Sequence, residues 1–282
     1  MIQSEKSVRV EILIYKYFVR LLFFLKNPLV ICTLLLFLVP FFWMQPGTID
    51  LGGDSTRLYF YDPFNYLKSV ALYPILPIGT GGVVPSFFLI PFAGLLWIAK
   101  LFVTSPYLLA SLFNSVKVVV GFLAVYGIVK RMIEDNFTVK ENKPLVATAS
   151  MIAGLFYIFS PAMISNYDKA LITHNQVFLN PLIFYLLLRF FLDHSLISLY
   201  ATLLLSLVFA PNFSYTVAPA FFSFYPLSLM YLLVYVRVVR RISLPWKMII
   251  IGLCLLFGLH AFHLVPEIQQ SLSGGNNLHT RI

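Results

Sequence analysis

Apolar residues fall in long runs along this chain, and short stretches between them carry most of the charged side chains. The runs are close to the roughly 20 residues that an α-helix needs to cross about 30 Å of hydrocarbon. The pattern predicts an all-α polytopic membrane protein, folded as a single transmembrane domain over residues 1–282. The predicted crossings are residues 28–44, 107–129, 145–163, 177–192, 196–210, 218–236 and 248–265.

One further apolar stretch, residues 83–103, is ambiguous because Pro85, Pro91 and Gly94 interrupt it. If it crosses, eleven Lys and Arg residues lie on the outer side and eight on the inner side. If it does not, five lie outside and fourteen inside, with one lysine inside the membrane in both cases. Cytoplasmic loops carry an excess of Lys and Arg. We therefore predict a re-entrant or interfacial helix here and about seven transmembrane helices, with the N-terminus in and the C-terminus out.

The two ends of the chain lie outside these crossings. Residues 8–26 place Arg9, Lys16 and Arg20 on one helical face among apolar residues. This pattern is typical of an amphipathic helix that lies on the inner leaflet. Residues 266–282 are predicted to form an outer tail, which we interpret as truncated.

Composition supports the membrane class. Hydrophobic residues make up 60% of the chain and charged residues 11%, whereas soluble domains carry about 25% charged residues. The net charge of +9 is spread over short clusters between apolar runs. That distribution indicates topology signals and contact with membrane lipids, and no nucleic-acid partner is expected. Cys32 and Cys254 lie inside apolar runs and imply no disulfide framework. We expect a multi-pass protein of the cytoplasmic (cell) membrane.

Acidic residues group on the predicted outer side. Four of the eleven lie in the first two outer loops, three in the first (residues 45–106) and one in the second: Asp50, Asp54, Asp62 and Asp168. Grouped carboxylates can bind a divalent cation or act as a general base, and Gly52-Gly53 lets the backbone approach a ligand closely. Asp50 and Asp62 are more simply explained as turn or helix-cap residues. For Asp54 the sequence favours neither the functional nor the structural interpretation.

Short motifs follow this layout in a fixed order. They are Gly53-Asp54 and Asp62-Pro63 in the first outer loop, ATASMIAGLFYIFSP at residues 147–161, and Asn180-Pro181 after the second outer loop. Together with the amphipathic lead and the membrane-skimming helix, they resemble the N-terminal transmembrane part of the GT-C superfamily of membrane glycosyltransferases. Within it, the polyprenyl-phosphate-dependent arabinofuranosyltransferases and the oligosaccharyltransferases look closest. The resemblance covers about residues 28–265.

This resemblance implies an enzyme that moves a sugar from a polyprenyl-phosphate donor to a glycan or protein acceptor on the non-cytoplasmic face of the cell envelope. Asp54 matches the family's first-loop acid, which implies a catalytic base or a metal ligand. The supporting or metal candidates are Asp50, Asp62 and Asp168, and Arg57 is a donor-phosphate candidate. Asp168 stands at an altered spacing, so the cofactor stays open, with Mg²⁺ or Mn²⁺ as the candidate cation. The alternative is a non-catalytic scaffold or flippase-like accessory protein, and a transporter ranks third.

Lys117 lies near the middle of the run at residues 107–129, three residues after Asn114. A charge at that depth costs about 2.5–3.5 kcal/mol on insertion scales, so Lys117 is predicted to face the bundle interior. It either contacts the phosphate of the lipid donor or packs against Asn114 or a buried acid, and the sequence leaves both open. His174, His260 and His263 lack a compact zinc-site spacing, so we expect no metal ligation by them.

Overall fold

The computed structural model describes residues 26–43, 61–72, 89–136, 142–164, 175–210 and 220–278. Within these ranges 88% of the residues are helical and there is no strand, which confirms the all-α prediction. The helices are α1 (Pro28–Trp43), α2 (Pro63–Leu72), α3 (Ile90–Lys100), α4 (Pro106–Asn136), α5 (Lys143–Ile158), α6 (Pro161–Ile164), α7 (Gln176–Asp193), α8 (Leu196–Val208), α9 (Ala220–Val234) and α10 (Trp246–Leu278). A π-helical turn, Tyr235–Val239, continues α9. The predicted amphipathic helix at residues 8–26 falls almost entirely outside the described ranges.

Two helices of the described ranges are long and apolar enough to cross a membrane, Pro106–Asp135 and Trp246–Val265. Other apolar helices, including α1, α5 and α8, have 10–17 residues. Each run that we predicted to cross contains a helix, but these lengths do not decide the number of crossings. The count of about seven stays a prediction.

Two helices run beyond the apolar segments that predicted them. The helix α4 continues past residue 129 into a charged segment, where Lys130 and Arg131 face Glu134 and Asp135 one turn ahead. Pairs at this spacing are compatible with a helix in water and add a small amount to its stability. The helix α10 continues to Leu278, so most of the predicted outer tail is helical. An apolar run predicts only the part of a helix that lies in hydrocarbon, so the helix can continue into the polar residues that follow.

The helix α3 packs against one end of the bundle. Phe92 of α3 is 1% exposed, and its ring centroid lies 5.3 Å from that of Phe113 in α4 and 5.6 Å from that of Phe209 at the end of α8. Phe178, in the first turn of α7, lies 5.4 Å from Phe209. We call Phe92, Phe113, Phe178 and Phe209 the aromatic cluster. It joins the N-terminal parts of α4 and α7 to the C-terminal end of α8.

Ion pairs join the opposite ends of these helices. Arg131 of α4 lies 2.5 Å from Asp193 at the end of α7, measured from Nη2 to Oδ1. Arg240, which follows the π-helical turn, lies 3.6 Å from Asp135 of α4 and donates a hydrogen bond to its carbonyl oxygen. The C-terminal ends of α4, α7 and α9 therefore lie on one side. The sequence predicts all three of these ends on the inner side, and their convergence agrees with that arrangement.

Candidate functional site

The predicted site residues are only partly covered. Asp50, Asp54, Arg57 and Asp168 lie outside the described residues, so their roles stay predictions. Asp62 and Lys117 lie within the described ranges, which place Asp62 beside α3 and Lys117 in the interior of the helical bundle.

Asp62 caps the N-terminus of α2. Its Oδ1 accepts a hydrogen bond from the backbone N–H of Asn65 at 3.1 Å, and its Oδ2 accepts one from the Asn65 side chain at 2.6 Å. These bonds, the backbone one first, hold the pKa of Asp62 below its usual value of 3.8. Pro63 supports the helix start because the first helical position needs no N–H. The cap interpretation of Asp62 is confirmed, and its supporting catalytic role stays a prediction.

Tyr61 attaches this cap to the helix α3. The Lys100 ammonium donates a hydrogen bond to the Tyr61 carbonyl oxygen and lies 5.6 Å from the centroid of the Tyr61 ring. Attraction to Lys100 also contributes to the lowered pKa of Asp62. The described part of the predicted first outer loop is therefore anchored on α3, which itself packs on the aromatic cluster.

Lys117 is buried in the bundle, with 6% of the residue exposed, so the predicted interior orientation is confirmed. Its ammonium lies 5.8 Å from the ring centroid of Phe113, a member of the aromatic cluster. A cation over an aromatic face is attracted by the ring quadrupole. Lys117 therefore borders the cluster on which α3 and the capped helix α2 are assembled.

Two asparagines at the start of α7 are polar groups near the aromatic cluster that the sequence did not predict as part of a site. Asn175 is 0% exposed, and neither of its amide atoms has a hydrogen-bond partner in the described part of the chain. The buried Oδ1 of Asn180 is in the same state within those ranges. Both flank Phe178 of the aromatic cluster. Leaving a buried amide unsatisfied is unfavourable, so these atoms are suited to bind a polar ligand. The available signal was an amide on each side of Phe178 where an apolar run begins.

A hydrogen-bonded histidine pair lies between α8 and α10. His260 Nδ1 is 2.7 Å from His263 Nε2, and His260 Nε2 is 3.0 Å from the Ser206 hydroxyl. Ser206 donates its single hydroxyl hydrogen to the carbonyl oxygen of Leu203 at 2.7 Å, so its oxygen accepts from His260 Nε2. His260 Nδ1 then accepts from His263 Nε2, which makes His260 the Nε2–H tautomer and places a hydrogen on Nε2 of His263. The i,i+3 spacing of the histidines was the sequence signal for this contact.

An apolar groove of about 230 Å³ lies between α7, α8, α9 and α10. Its lining includes Leu203 and Leu253, and Ser206 adds a hydroxyl that is bonded to the histidine pair. Ile183 lines the groove and also belongs to the core that contains Phe178 and Phe209. The groove therefore extends to the core around the aromatic cluster.

The described residues do not form a metal-binding site. Within those ranges no group of three or more His, Cys, Asp and Glu residues is placed to hold a metal ion. Of the four acidic candidates for Mg²⁺ or Mn²⁺, only Asp62 is described, and both of its carboxylate oxygens accept from Asn65. One capping carboxylate does not make a site for either cation, which needs several oxygen ligands.

Comparisons with family models, curated proteins and solved structures give no match for this chain. The class that the described residues define is an all-helical protein with two apolar helices long enough to cross a membrane. The glycosyltransferase resemblance therefore rests on the sequence motifs and the layout.

Proposed function

We propose that this chain is a multi-pass protein of the cell membrane with about seven crossings. Large apolar side chains point away from the bundle, with Phe42, Phe156 and Ile197 each at least 80% exposed. Such surfaces are unfavourable in water, by about 25 cal/mol for each Å² of apolar area, and favourable against lipid. Polar groups are buried instead, and the hydroxyls of Ser115 and Ser150 bond to carbonyls of their own helices. That arrangement supports a lipid environment.

Within this membrane frame, we propose a glycosyltransferase that uses a polyprenyl-phosphate sugar donor on the outer face. The observation that supports this proposal is the burial of Lys117 beside the aromatic cluster, which also includes Phe92 of the short helix α3. An ionisable group inside a membrane bundle typically marks a substrate pathway, and an ammonium matches a phosphate. The buried amide of Asn175 and the buried Oδ1 of Asn180 stand on either side of Phe178 of the same cluster, and the apolar groove has the lining that a polyprenyl tail requires.

In the proposed reaction an acceptor hydroxyl attacks the anomeric carbon of the sugar. The new glycosidic C–O bond forms while the bond from that carbon to the phosphate oxygen breaks, with inversion at the carbon. Asp54 takes the proton of the hydroxyl, and Lys117 stabilises the negative charge that develops on the departing polyprenyl phosphate. General-base help of this kind is worth about a hundred- to ten-thousand-fold in rate.

The test is sugar transfer in membranes that contain the complete protein, with polyprenyl-phosphate sugars as donors. Asp54→Asn keeps the size of the side chain and removes the base, so transfer should fall at least about a hundredfold while the protein still folds. Asp50→Asn and Asp62→Asn are the matched controls and should have smaller effects. Comparable losses at either control would indicate a shared metal site instead.

Near-normal transfer by Asp54→Asn would show that the assignment of the base is wrong. If the complete unsubstituted protein transferred no sugar from any lipid-linked donor, the scaffold or flippase-like accessory function would take first place. Lys117→Met tests the other part of the mechanism while the proton acceptor stays intact. It should lower kcat, because Lys117 stabilises charge that develops in the transition state, and it should also raise the KM for the donor, whose phosphate it contacts.

A further inference from the structure

A mixed polar and apolar pocket of about 330 Å³ lies between α4 and α7, at the ion-paired end of the bundle. Its lining includes Tyr126 and Gly127 of α4 and Tyr185 of α7. The two helices approach closely here, since a Cβ atom at Gly127 would lie 2.7 Å from Cε2 of Tyr185. The absence of a side chain at Gly127 therefore gives the Tyr185 ring its place in the wall of the pocket.

Three basic and two acidic side chains line this pocket. Arg131 is held firmly, 2.5 Å from Asp193. Lys130 lies 4.0 Å from Glu134, and Arg189 lies 3.7 Å from Asp193, while their own side chains are 44% and 47% exposed. Long, exposed ion pairs contribute little to stability. Lys130 and Arg189 can therefore turn towards an anionic ligand while Arg131 keeps the helices joined.

The surface of α4 is apolar on the side of the pocket that faces the middle of the helix. Val116, Leu123 and Lys130 are spaced by seven residues on α4, which places them along one helical face. Val116 is 48% exposed and Leu123, which lines the pocket, is 38% exposed. The Lys130 ammonium lies 5.9 Å from the ring centroid of Tyr126, and tyrosines concentrate at membrane–water interfaces. One ligand that is anionic at one end and apolar along its length fits this face.

We propose that the pocket binds the phosphate headgroup of an anionic phospholipid from the inner leaflet. Lys130 and Arg189 contact the phosphate oxygens, and an acyl chain follows Leu123 and Val116. Basic pockets between membrane helices on the cytoplasmic side suit such headgroups. The inference rests on the proposed membrane placement and does not depend on sugar transfer.

The experiment compares the full chain in phosphatidylcholine bilayers with and without phosphatidylglycerol. Native mass spectrometry counts the bound phosphatidylglycerol, and thermal unfolding measures the stabilisation that it gives. The pocket variant is Lys130→Gln with Arg189→Gln. The matched control is Lys143→Gln with Lys247→Gln, which removes two exposed charges near the same end of the bundle but outside the pocket lining. Each lost basic contact should weaken binding about fivefold, or roughly 25-fold together, and the control should bind as the unsubstituted protein does.

Two further measurements separate the possible failures. Gly127→Ala should also reduce phosphatidylglycerol binding, because the added methyl group displaces the Tyr185 ring and changes the pocket without changing its charge. Equal binding by the pocket and control variants would overturn the proposed site. Equal stabilisation by free inorganic phosphate in phosphatidylcholine would overturn the lipid as the source of the phosphate. Flotation with phosphatidylcholine vesicles tests the membrane placement by itself, since all variants should float.

Discussion

The helices α4 and α5 pack closely at Gly154, which makes this a sensitive position. A Cβ atom added at Gly154 would lie 2.8 Å and 2.9 Å from ring atoms of Phe122 and 3.0 Å from the Phe122 carbonyl oxygen. The ring is 0% exposed and packs in a core with Leu36 and Ile158, so it has little room to move. The carbonyl belongs to the backbone of α4. Gly154→Ala therefore requires the two helices to separate.

The size of the effect follows from two opposing contributions. Overpacking a well-packed core costs about 1–3 kcal/mol, whereas Ala in place of Gly within a helix gains up to about 1 kcal/mol. Gly258→Ala on α10 is the matched control, because apart from the helix's own backbone and the adjacent residues no atom of the described residues lies within 4 Å of the added Cβ there. It should leave the free energy of unfolding unchanged or raise it slightly. The difference between the two variants isolates the packing contribution, which we expect to be about 1–3 kcal/mol.

Reversible unfolding in mixed micelles with increasing SDS measures both free energies. Combining Gly154→Ala with Phe122→Leu should destabilise the protein by less than the sum of the single changes, because the smaller side chain relieves the contact. If Gly154→Ala and Gly258→Ala unfolded at the same SDS concentration, the close packing of α4 against α5 would be refuted.

The predicted topology, the ion pairs of Asp193 and the cap at Asp62 can each be tested separately. In a background without native cysteines, Lys140→Cys should be protected from a membrane-impermeant maleimide in sealed cells and Lys68→Cys should be labelled; labelling of position 140 from outside contradicts the topology. Asp193→Asn should lower the free energy of unfolding by about 1 kcal/mol or less, since its pairs are partly exposed, and Glu134→Gln should not measurably change it. The folded-state pKa of Asp62 is lowered, so the cap stabilises α2 above the usual pKa of 3.8 and is lost as the pH falls through the folded-state pKa. An NMR titration of this carboxyl at or above 3.8 would contradict the cap.

Local features of the fold could be predicted from the sequence. Apolar runs of membrane length predicted the helices, because a chain segment in hydrocarbon must form its backbone hydrogen bonds within itself and therefore becomes helical. The cap at Asp62 was predictable because its partner lies three residues away, and the interior position of Lys117 followed from the cost of a charge in lipid. Each of these depends on neighbours along the chain or on the solvent.

Contacts between distant residues could not be predicted in this way. Arg131 and Asp193 are 62 positions apart, and their pairing depends on how α4 and α7 pack. The amide of Asn175, which is buried and has no hydrogen-bond partner among the described residues, and the bond from His260 to Ser206 depend on tertiary burial in the same way. The sequence shows a histidine spacing and an amide at the start of a run, but it does not show what the folded chain places opposite them.

The orientation of the first helices provides an argument about the crossings that is independent of charge counts. The Tyr107 hydroxyl, at the start of α4, donates a hydrogen bond to the carbonyl oxygen of Phe41, near the end of α1, at 3.2 Å. The two residues therefore lie on the same side of the bundle, as expected if residues 83–103 do not cross. The helix α3 is the main apolar helix described within this segment, and its 11 residues span about 16 Å, half of the hydrocarbon thickness. A single crossing by α3 would place Phe41 and Tyr107 on opposite sides. The contact thus supports the interfacial placement of α3, whereas the charge counts alone assign the ion-paired helix ends to the inner side.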